Sequence, residues 1–338
     1  MTAVLVTGGA GYIGSHAVRE LVRAGHHVVV FDNLSAGYRT AAEAALGGCG
    51  EIIEGDIRDA GRLTQILRGR RIDAVMHFAA LLSVGESVRD PAGYYSNNVT
   101  GALSVLQSMV SAGVAMFVFS STAAVFGNPE RTPITEEHPT RPINPYGETK
   151  LAVERALPHF ERAYGVRSVV LRYFNAAGAD PDGLLGEDHV PEQHVIPRAL
   201  DAAMGRGSFQ VFGEDYDTPD GTCLRDYIHV TDLATAHVLA LGSLRGGGPS
   251  AVYNLGNGRP TSVREVLDAV ARVTGRAVPY AKGDRRPGDP GVLYASSDRI
   301  RLELGWEPRY EDIETIVKTA WRWRDAHPSG YRQVASTS

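Results

Sequence analysis

The 338-residue sequence has only two cysteines, Cys49 and Cys223, which lie far apart in the chain. Two distant cysteines argue against a disulfide framework and a cysteine-based metal site, and they fit a reducing compartment. No apolar run approaches the roughly 20 residues that a helix needs to cross a bilayer. The N-terminal stretch is too short for a signal peptide, so we interpret it as a strand and expect a cytoplasmic protein.

The sequence also lacks any long run of charge of one sign. Lys and Arg together number 34 and Asp and Glu 39, which gives a formal net charge of −5. This balance favours neither a nucleic-acid partner nor a membrane surface. The content of 43% hydrophobic and 22% charged residues is ordinary for a globular protein, and the length allows a sizeable core.

Short apolar runs alternate with longer amphipathic segments, a pattern typical of βαβ units. Most of the runs are apolar throughout, as expected for parallel strands buried on both faces. Seven candidate strands cover residues 3–8, 27–32, 51–56, 73–79, 116–121, 167–174 and 251–256. Helical patterns cover 15–25, 98–113 and 146–165, and each closes with glycine. The sequence predicts an α/β fold with a Rossmann-type, doubly wound parallel sheet.

A glycine-rich turn follows the first candidate strand and opens a helix. Gly9, Gly11 and Gly14 match Gly-x-Gly-x-x-Gly, while Gly8, Gly11 and Gly14 match Gly-x-x-Gly-x-x-Gly, and both registers stay open. Either register lets backbone N–H groups at a helix N-terminus approach a pyrophosphate. Asp32 ends the second strand 18 residues after Gly14, where a carboxylate binds a ribose 2′-OH and repels a 2′-phosphate. The sequence therefore favours NAD over NADP.

The composition changes after about residue 176, where Gly, Pro and Asp become denser and candidate strands become rare. We predict an NAD-binding Rossmann domain over residues 1–176, to which the strand near 251–256 returns. A smaller α/β lobe that binds the substrate is predicted over residues 177–338.

Eleven segments, in order along nearly the full chain, resemble the extended short-chain dehydrogenase/reductase family, and within it the nucleotide-sugar 4-epimerases. They are "GGAGYIGSH" (8–16), "DNLS" (32–35), "GDIRD" (55–59), "HFAALLSVGES" (77–87), "YYSNNVTG" (94–101), "FSSTAAVFG" (119–127), "NPYGETK" (144–150), "LRYFNAAGA" (171–179), "DGTCLRDYIHV" (220–230), "YNLGNG" (253–258) and "RRPGD" (285–289). One such segment is weak evidence, whereas eleven in order are strong.

The resemblance implies an isomerase that inverts C4 of UDP-glucose and UDP-galactose. C4 bears no acidic proton, so the hydride passes to tightly bound NAD and leaves a 4-keto sugar, which rotates before the hydride returns to its other face. The protein must supply a base for the 4-hydroxyl and hold the intermediate by its nucleotide. The expected cofactor is NAD and the expected partner is a UDP-hexose.

Tyr146 is the candidate base of this reaction. A phenol has an ordinary pKa of about 10, and we expect Lys150, one helical turn further on, and the nicotinamide charge to lower it. Asn144 suits a helix cap and Pro145 a first helical position, which places the pair on a rigid first turn. Thr122 follows a strand and is expected to hydrogen-bond the 4-oxygen and share its proton with Tyr146.

Residues 123 and 124 are both alanine. The related nucleotide-sugar 4,6-dehydratases carry an Asp-Glu pair at this place to expel the C6 hydroxyl as water. Without an acid, elimination is not expected, and the pair of alanines separates two otherwise similar enzymes.

The resemblance extends to a larger set of cofactor and substrate contacts. The expected cofactor contacts are Gly8, Gly11, Tyr12, Ile13, Gly14, Asp32, Asn33, Asp56, Ile57, Phe78, Ala79, Leu82, Asn97, Tyr146, Lys150 and Phe174. The expected substrate contacts are Thr122, Asn175, His194, Val195, Phe212, Arg225, Arg286, Asp289 and Leu293.

Several of these residues carry an expected role. The resemblance assigns the diphosphate to Arg225 and Arg286, whose forked guanidinium groups match phosphate oxygens. It places Phe212 near the uracil and Asp289 on the uridine ribose. Asn175 is expected to contact the sugar diphosphate, Asp56 the adenine, and His194, where many relatives have Asn, the nucleotide. No metal is expected, because the Asp, His and Glu residues within 187–194 fit no zinc spacing.

Two positions depart from the family pattern. Leu82 stands where some members carry a lysine near the nicotinamide, which removes a charge from the cofactor. Leu293 stands where a large Tyr restricts the sugar pocket and a small residue admits N-acetylated sugars. Activity on UDP-N-acetylglucosamine therefore stays open.

Other readings also remain at this point. The same chemistry on UDP-N-acetylglucosamine or UDP-glucuronate is the nearest alternative, and an ordinary dehydrogenase that releases NADH is another. A non-catalytic NAD-binding protein on the same fold is a third. The helices near 95–113 and 146–165 resemble helices that pair in a homodimer, although their apolar faces also suit a core.

Overall fold

A computed structural model describes residues 1–286 and 290–332. Its centre is a seven-stranded sheet in which all neighbouring strands are parallel. The strands are Ala3–Thr7 (β1), His27–Asp32 (β2), Gly50–Glu54 (β3), Ala74–His77 (β4), Met116–Thr122 (β5), Arg167–Tyr173 (β6) and, later in the chain, Ala251–Leu255 (β11). Their order across the sheet is β11-β6-β5-β4-β1-β2-β3. The predicted doubly wound α/β fold is confirmed.

All seven predicted strands are present, and each end lies within two residues of its predicted position. They were recognisable because most are short apolar runs, rich in Val and Phe, that are buried on both faces, whereas β3 is only partly buried. In the register of the sheet, Val6 of β1 lies between Val30 of β2 and Met76 of β4.

Twelve α-helices occur in the described residues. They are Tyr12–Arg23 (α1), Arg39–Leu46 (α2), Ala60–Gly69 (α3), Val84–Arg89 (α4), Pro91–Tyr94 (α5), Gly101–Ala112 (α6), Pro145–Tyr164 (α7), Val195–Ala203 (α8), Val230–Arg245 (α9), Val263–Thr274 (α10), Asp298–Leu304 (α11) and Ile313–Ala326 (α12). A π-helical turn, Tyr95–Thr100, leads into α6, and a 3₁₀ turn, Ala123–Phe126, follows β5. The glycines after α6 and α7 adopt positive φ, 76° at Gly113 and 73° at Gly165, as the sequence predicts for helix ends.

The central sheet buries a hydrophobic core on each face. On one face, Val4 and Val6 of β1 pack in one cluster with Leu21 of α1 and with Leu233 and Ala240 of α9. The opposite face of the sheet packs against α3, α6 and α7. Residues 230–245 thus contribute to the core of the first predicted domain, and the division at residue 176 stays a prediction.

Besides β11, seven short strands occur after residue 174 in the part of the chain that the structure describes. They are Asn175–Ala177 (β7), Phe209–Phe212 (β8), Leu224–Arg225 (β9), Tyr227–His229 (β10), Thr261–Ser262 (β12), Tyr280–Gly283 (β13) and Val292–Leu293 (β14). Strands β7 and β10 pair in parallel, as do β8 and β13, while β9 lies between β12 and β14. The expectation that strands are rare here was wrong. These strands have only two to four residues, which is too short for an alternation of apolar and polar residues to be visible in the sequence. A further core lies between α8, α10 and α12. Within the described residues, no helix is long and apolar enough to span a membrane.

Candidate active site

The predicted cofactor and catalytic residues lie at one edge of the central sheet. Gly8, Asp32, Asp56, Phe78, Thr122 and Phe174 end or follow the carboxyl ends of β1, β2, β3, β4, β5 and β6 in that order. Parallel strands present these ends at the same edge, where open α/β sheets bind ligands. The fold therefore brings together residues from six separate parts of the sequence.

The glycine turn between β1 and α1 has no room for side chains. Gly8 has φ of 75°, and a Cβ added to it would lie 2.4 Å from the backbone nitrogen of Ala79. A Cβ on Gly14 would lie 2.1 Å from the carbonyl oxygen of Gly8. Gly11 caps α1 without a side-chain hydrogen bond, and the first turn of α1 has no acidic residue. The N-terminus of α1 thus has no side-chain cap, which fits a pyrophosphate.

Two other residues predicted to bind the cofactor belong to the same turn. The Tyr12 hydroxyl donates to the carbonyl oxygen of Gly178 at 2.7 Å and ties the start of α1 to the segment after β7. Ile13 packs against the core that α1 shares with the sheet. Tyr12 therefore joins the turn to the second half of the chain.

Asp32 is held rigidly at the end of β2. Its carboxylate oxygens accept hydrogen bonds from the backbone N–H groups of Ala10, at 3.0 Å, and Leu34, at 2.8 Å. Each oxygen keeps a further lone pair for a ribose hydroxyl. The side chain is almost fully buried, and burial raises the pKa of its carboxyl group. This geometry fits the predicted contact with the adenosine ribose.

Three residues that are predicted to contact the adenosine part of NAD interact with other residues of the chain. Asn33 accepts from the Ser35 hydroxyl at 2.7 Å. Asp56 lies two residues beyond β3 and not at its end, and it pairs with Arg58 at 2.6 Å. The Arg58 hydrogen bond lowers the pKa of Asp56 to about 2, so this carboxylate is charged near neutrality. Ile57 is buried in the core.

The residues that follow β4, Phe78 and Ala79, contact the glycine turn through their backbone atoms. The Phe78 ring packs on the ring of His237 at a centroid distance of 4.7 Å, and Phe78 and Ala79 meet Gly8 through backbone atoms. Leu82 is exposed, with 47% of its surface accessible. The Asn97 amide donates to the side-chain oxygen of Asn98 at 3.0 Å.

Asn98 is a structural residue that the sequence analysis missed. Its side chain accepts from the Leu81 N–H at 2.8 Å and donates to the Leu81 carbonyl at 3.0 Å. The same amide donates to Thr149 on α7 at 3.1 Å. One asparagine thus ties residues 79–83 to the catalytic helix, and its place beside Asn97 in "YYSNNVTG" was the available signal.

The start of α7 has the predicted cap. Asn144 accepts from the Gly147 N–H at 2.9 Å, and Pro145 is the first helical residue. Tyr146 is therefore in the first turn, where the partial positive charge of the helix N-terminus favours an anion. An interaction with the Thr122 hydroxyl lowers the pKa of Tyr146 but is outweighed by removal from water, which raises it.

The pKa of Tyr146 differs in part from what the sequence predicts. We expected Lys150 to lower the pKa of Tyr146, whereas removal from water dominates and leaves that pKa raised. The reason lies in the position of Lys150, whose ammonium group donates to the Ser120 carbonyl at 2.9 Å and lies 5.0 Å from the centre of the Phe119 ring. Burial lowers the pKa of Lys150 to about 8, and the charge of Glu154 opposes that shift.

A buried ion pair lies beneath the catalytic residues, and the sequence analysis missed it. Glu154 of α7 pairs with Arg172 of β6 at 2.6 Å, with 5% and 9% of the two side chains exposed. Glu154 also accepts from the Ser121 hydroxyl at 2.5 Å. The pair joins β5, β6 and α7 next to Lys150, and the four-residue spacing from Lys150 to Glu154 was its only signal.

Asn175 and His194 lie where the chain leaves the sheet for the second half. The Asn175 amide donates to the Asp226 carbonyl at 3.0 Å, which occupies part of its hydrogen-bonding capacity. His194 precedes α8 as its cap residue, and Val195 is the first residue of that helix. His194 contacts the carboxylate of Glu187 through Nδ1.

The remaining substrate residues form two pairs in the second half. The guanidinium group of Arg286 lies 3.9 Å from the centre of the Phe212 ring. Arg225 of β9 is opposite Leu293 of β14 in the pairing register. Asp289, predicted to hold the uridine ribose, lies outside the described residues.

Leu293 connects the second half of the chain to the catalytic edge. It packs against a small cluster that contains Phe174, after β6, and Ala123, next to Thr122. The residue that is expected to limit the sugar pocket thus contacts the cluster that flanks Thr122, a predicted catalytic residue. No acidic side chain occupies positions 123 and 124.

Comparison with known proteins agrees with this geometry. Residues 4–256 match the family described as the NAD dependent epimerase/dehydratase family. The UDP-glucose 4-epimerase of Lactobacillus helveticus is 50% identical over 97% of this chain and 98% of its own.

Two solved structures are also similar. The UDP-glucose 4-epimerase of Brucella ovis, in complex with NAD, is 50% identical, with a TM-score of 0.92 over 95% of this chain and 98% of its own. That of Bifidobacterium longum, in complex with NAD⁺ and UDP, is 40% identical, with a TM-score of 0.92 over 97% and 100% of the chains. With its glycine turn, its capped Tyr146 and these full-length similarities, the chain belongs to the NAD dependent epimerase/dehydratase family.

Proposed function

We propose that this protein is an NAD-dependent epimerase that inverts C4 of UDP-glucose and UDP-galactose through a 4-keto intermediate. The observation that carries the proposal is the meeting of Thr122, at the end of β5 and next to two alanines, with Tyr146 and Lys150 near the capped start of α7. Relatives with about half of their residues identical over nearly the full length are UDP-glucose 4-epimerases, which supports it.

In this proposal, Tyr146 takes the proton from the 4-hydroxyl and Thr122 hydrogen-bonds the same oxygen. The short path from Thr122 to Tyr146 lets the proton move between them as the oxygen becomes a carbonyl. Bound NAD supplies reversible hydride acceptance at C4. Ala123 and Ala124 have no group that protonates a leaving C6 hydroxyl, so the 4-keto sugar is not dehydrated.

The charge state of Tyr146 depends on the loaded site. Removal from water raises the pKa of the phenol in the protein alone, so Tyr146 is protonated there at neutral pH. A positive nicotinamide and the N-terminus of α7 favour the phenolate. We propose that the base becomes competent only when the oxidised cofactor is present, with Lys150 holding the cofactor ribose.

The residues present fit NAD at three points. The uncapped N-terminus of α1 suits the pyrophosphate, Asp32 has free lone pairs for the adenosine ribose, and the buried Lys150 is positioned for the other ribose. For the substrate, we propose that Arg225 and Arg286 hold the diphosphate. Phe212, which stacks on Arg286, packs near the uracil.

The same chemistry on an N-acetylated UDP-hexose is the second candidate. It rests on Leu293, which is smaller than tyrosine and packs against the cluster beside Thr122. A leucine leaves more space at this wall than a tyrosine, and the position lies next to the proposed sugar site. UDP-glucuronate is less favoured, because its carboxylate would call for an extra cation near C6 of the sugar, which the sequence does not place.

A product assay tests the proposal. Purified protein is incubated with UDP-glucose, UDP-galactose, UDP-N-acetylglucosamine and UDP-glucuronate, each without added cofactor. We expect interconversion of the first two and a loss of at least a hundredfold in turnover for Tyr146→Phe. Tyr164→Phe is the matched control, because Tyr164 is on the same helix and 60% exposed.

Two outcomes would contradict the proposal. Near-full turnover by Tyr146→Phe would show that the base is another group. A requirement for added NAD, with net accumulation of NADH, would indicate an ordinary dehydrogenase.

We also propose a homodimer and a cytoplasmic location. The dimer rests on the family resemblance of α6 and α7, although Met109 and Leu157 on these helices are buried in the core of the single chain. Light scattering after size-exclusion chromatography measures the mass, and a monomer at micromolar concentration would contradict the dimer.

A further inference from the structure

Four potential metal ligands converge in the segment between β7 and α8. They are Glu187, His189, Glu192 and His194, and each offers one donor atom. All four donor atoms lie within 4.8 Å of one another. Their spacing along the sequence predicted no metal site, because only the folding of residues 187–194 back on itself brings them together.

The distances are close to those of a four-coordinate site. Nδ1 of His189 lies 3.3 Å from Oε1 of Glu187 and 3.6 Å from Oε2 of Glu192. Nδ1 of His194 contacts the same Glu187 oxygen and lies 3.9 Å from Oε1 of Glu192, the oxygen that does not face His189. Metal–ligand bonds of about 2.0–2.2 Å give a tetrahedron with edges of about 3.3–3.6 Å. Binding of a cation at the centre would require the side chains to adjust, with His194 moving away from Glu187.

The position of His189 suits a ligand of the same ion. Its Nδ1 atom is buried and faces two carboxylates, at 3.3 Å from Glu187 and 3.6 Å from Glu192. A divalent cation would take the place of the proton that this nitrogen shares with the carboxylates, because metal binding and protonation compete for the same donor atom. The edge of the Tyr12 ring packs on this imidazole at a centroid distance of 6.1 Å, which fixes the ring.

The carboxylates of Glu187 and Glu192 are also arranged in a way that suits a divalent cation. One oxygen of Glu192 accepts the N–H groups of Gln193, at 2.8 Å, and His194, at 2.9 Å, which leaves the other oxygen facing His189. Only 6% of the Glu187 side chain is exposed. Two carboxylates balance the charge of a divalent cation when both imidazoles are neutral.

We propose that Glu187, His189, Glu192 and His194 bind one Zn²⁺ ion that fixes the segment between β7 and α8. This assignment takes the place of the nucleotide contact that the family resemblance implies for His194. Two imidazole nitrogens and two carboxylate oxygens suit zinc in tetrahedral coordination, and four protein ligands make the site closed and structural. The ion stabilises the cap of α8 and the contact with Tyr12 at the glycine turn. It takes no part in hydride or proton transfer.

Zinc binding to the full-length protein tests this proposal. Protein without an affinity tag is stripped with a chelator, dialysed with Zn²⁺ and analysed for metal by mass spectrometry. We expect one zinc per chain in the wild type and in His159→Gln, whose histidine is exposed on α7. His189→Gln and Glu192→Gln should bind at least tenfold more weakly, and Zn²⁺ should raise the melting temperature of the wild type more than theirs.

Cobalt provides a readout that ion pairing alone would not give. Co²⁺ in place of zinc should show the intense visible absorption of four-coordinate cobalt in the wild type and lose it in His189→Gln. Glu192→Gln decides the outcome if His189→Gln does not fold. The proposal is overturned if the wild type retains no stoichiometric zinc, or if both variants retain as much as the wild type.

Discussion

Replacement of Glu154 by Gln tests how the buried ion pair supports the catalytic helix. The change removes the charge that faces Arg172 at 2.6 Å and leaves the guanidinium group buried, with 9% of its side chain exposed. Breaking a buried pair in this way lowers the free energy of unfolding by about 3–5 kcal/mol. An unfolding entropy of about 2.1 cal/mol/K per residue gives about 0.7 kcal/mol/K for this 338-residue chain. The melting temperature should therefore fall by about 4–7 °C.

The same variant should also change the pH dependence of turnover. Burial lowers the pKa of Lys150 to about 8, and Glu154 acts in the opposite direction. Without the charge of Glu154, the pKa of Lys150 falls further, so the ammonium group loses its proton at a lower pH. We expect the alkaline limb of the pH–rate profile to move toward neutrality in Glu154→Gln.

The assays are differential scanning calorimetry and epimerase rates between pH 6 and about 10, a range that brackets the titration of Lys150. Glu161→Gln on the same helix is the matched control, and it should change neither readout. A double replacement of Glu154 and Arg172 by leucine should restore most of the lost stability, since both buried charges are gone. An unchanged melting temperature in Glu154→Gln would refute the energetic argument, and an unmoved alkaline limb would refute the link to Lys150.

Three further changes have expected outcomes. Gly14→Ala places a Cβ 2.1 Å from the Gly8 carbonyl oxygen and should abolish retention of NAD, measured by absorbance after denaturation, whereas Gly85→Ala, with open space around it, should not. Asp226→Asn should cost about 1–3 kcal/mol in urea unfolding, because the buried carboxylate accepts backbone N–H groups through both oxygens and an amide accepts through one. Burial raises the pKa of Asp226 from 3.8 to about 6, so the folded protein holds this proton more tightly than the unfolded chain does. The free energy of unfolding of the wild type should therefore fall as pH rises between these two values, and that of Asp226→Asn should not show this fall. Leu293→Tyr should lower turnover of UDP-N-acetylglucosamine relative to UDP-glucose at least tenfold, and an unchanged ratio would place the selectivity elsewhere.

The central sheet was predictable because its strands obey a local rule. Most of them are short apolar runs between turn residues, so burial on both faces can be read directly from the sequence. The cap of α7 was predictable for a similar reason, since Asn144 and Pro145 act within one turn. The strands of the second half escaped prediction because their pairing is set by tertiary contacts, as in the match of Leu293 with Arg225.

The candidate site was likewise predictable only in part from the sequence. Residue types that carry chemistry, such as Tyr146 and Asp32, were identifiable from motifs, whereas the residues that hold them in place were not. Asn98 acts through contacts with Leu81 and Thr149, which lie 17 and 51 residues away. The pKa of Tyr146 depends on its removal from water, a property of packing that the spacing to Lys150 does not report.

The packing of α9 against α1 and β1 has a consequence for synthesis on the ribosome. On one face of the N-terminal sheet, residues 230–245 cover part of the core next to α1, and the outer edge of β6 pairs with β11, which ends at Leu255. A nascent chain that has emerged to residue 176 therefore exposes an apolar sheet face and an unpaired strand edge, both of which favour aggregation. Chaperone binding to the nascent chain should persist until about residue 255 has left the exit tunnel, and a chain shortened to residues 1–176 should be insoluble.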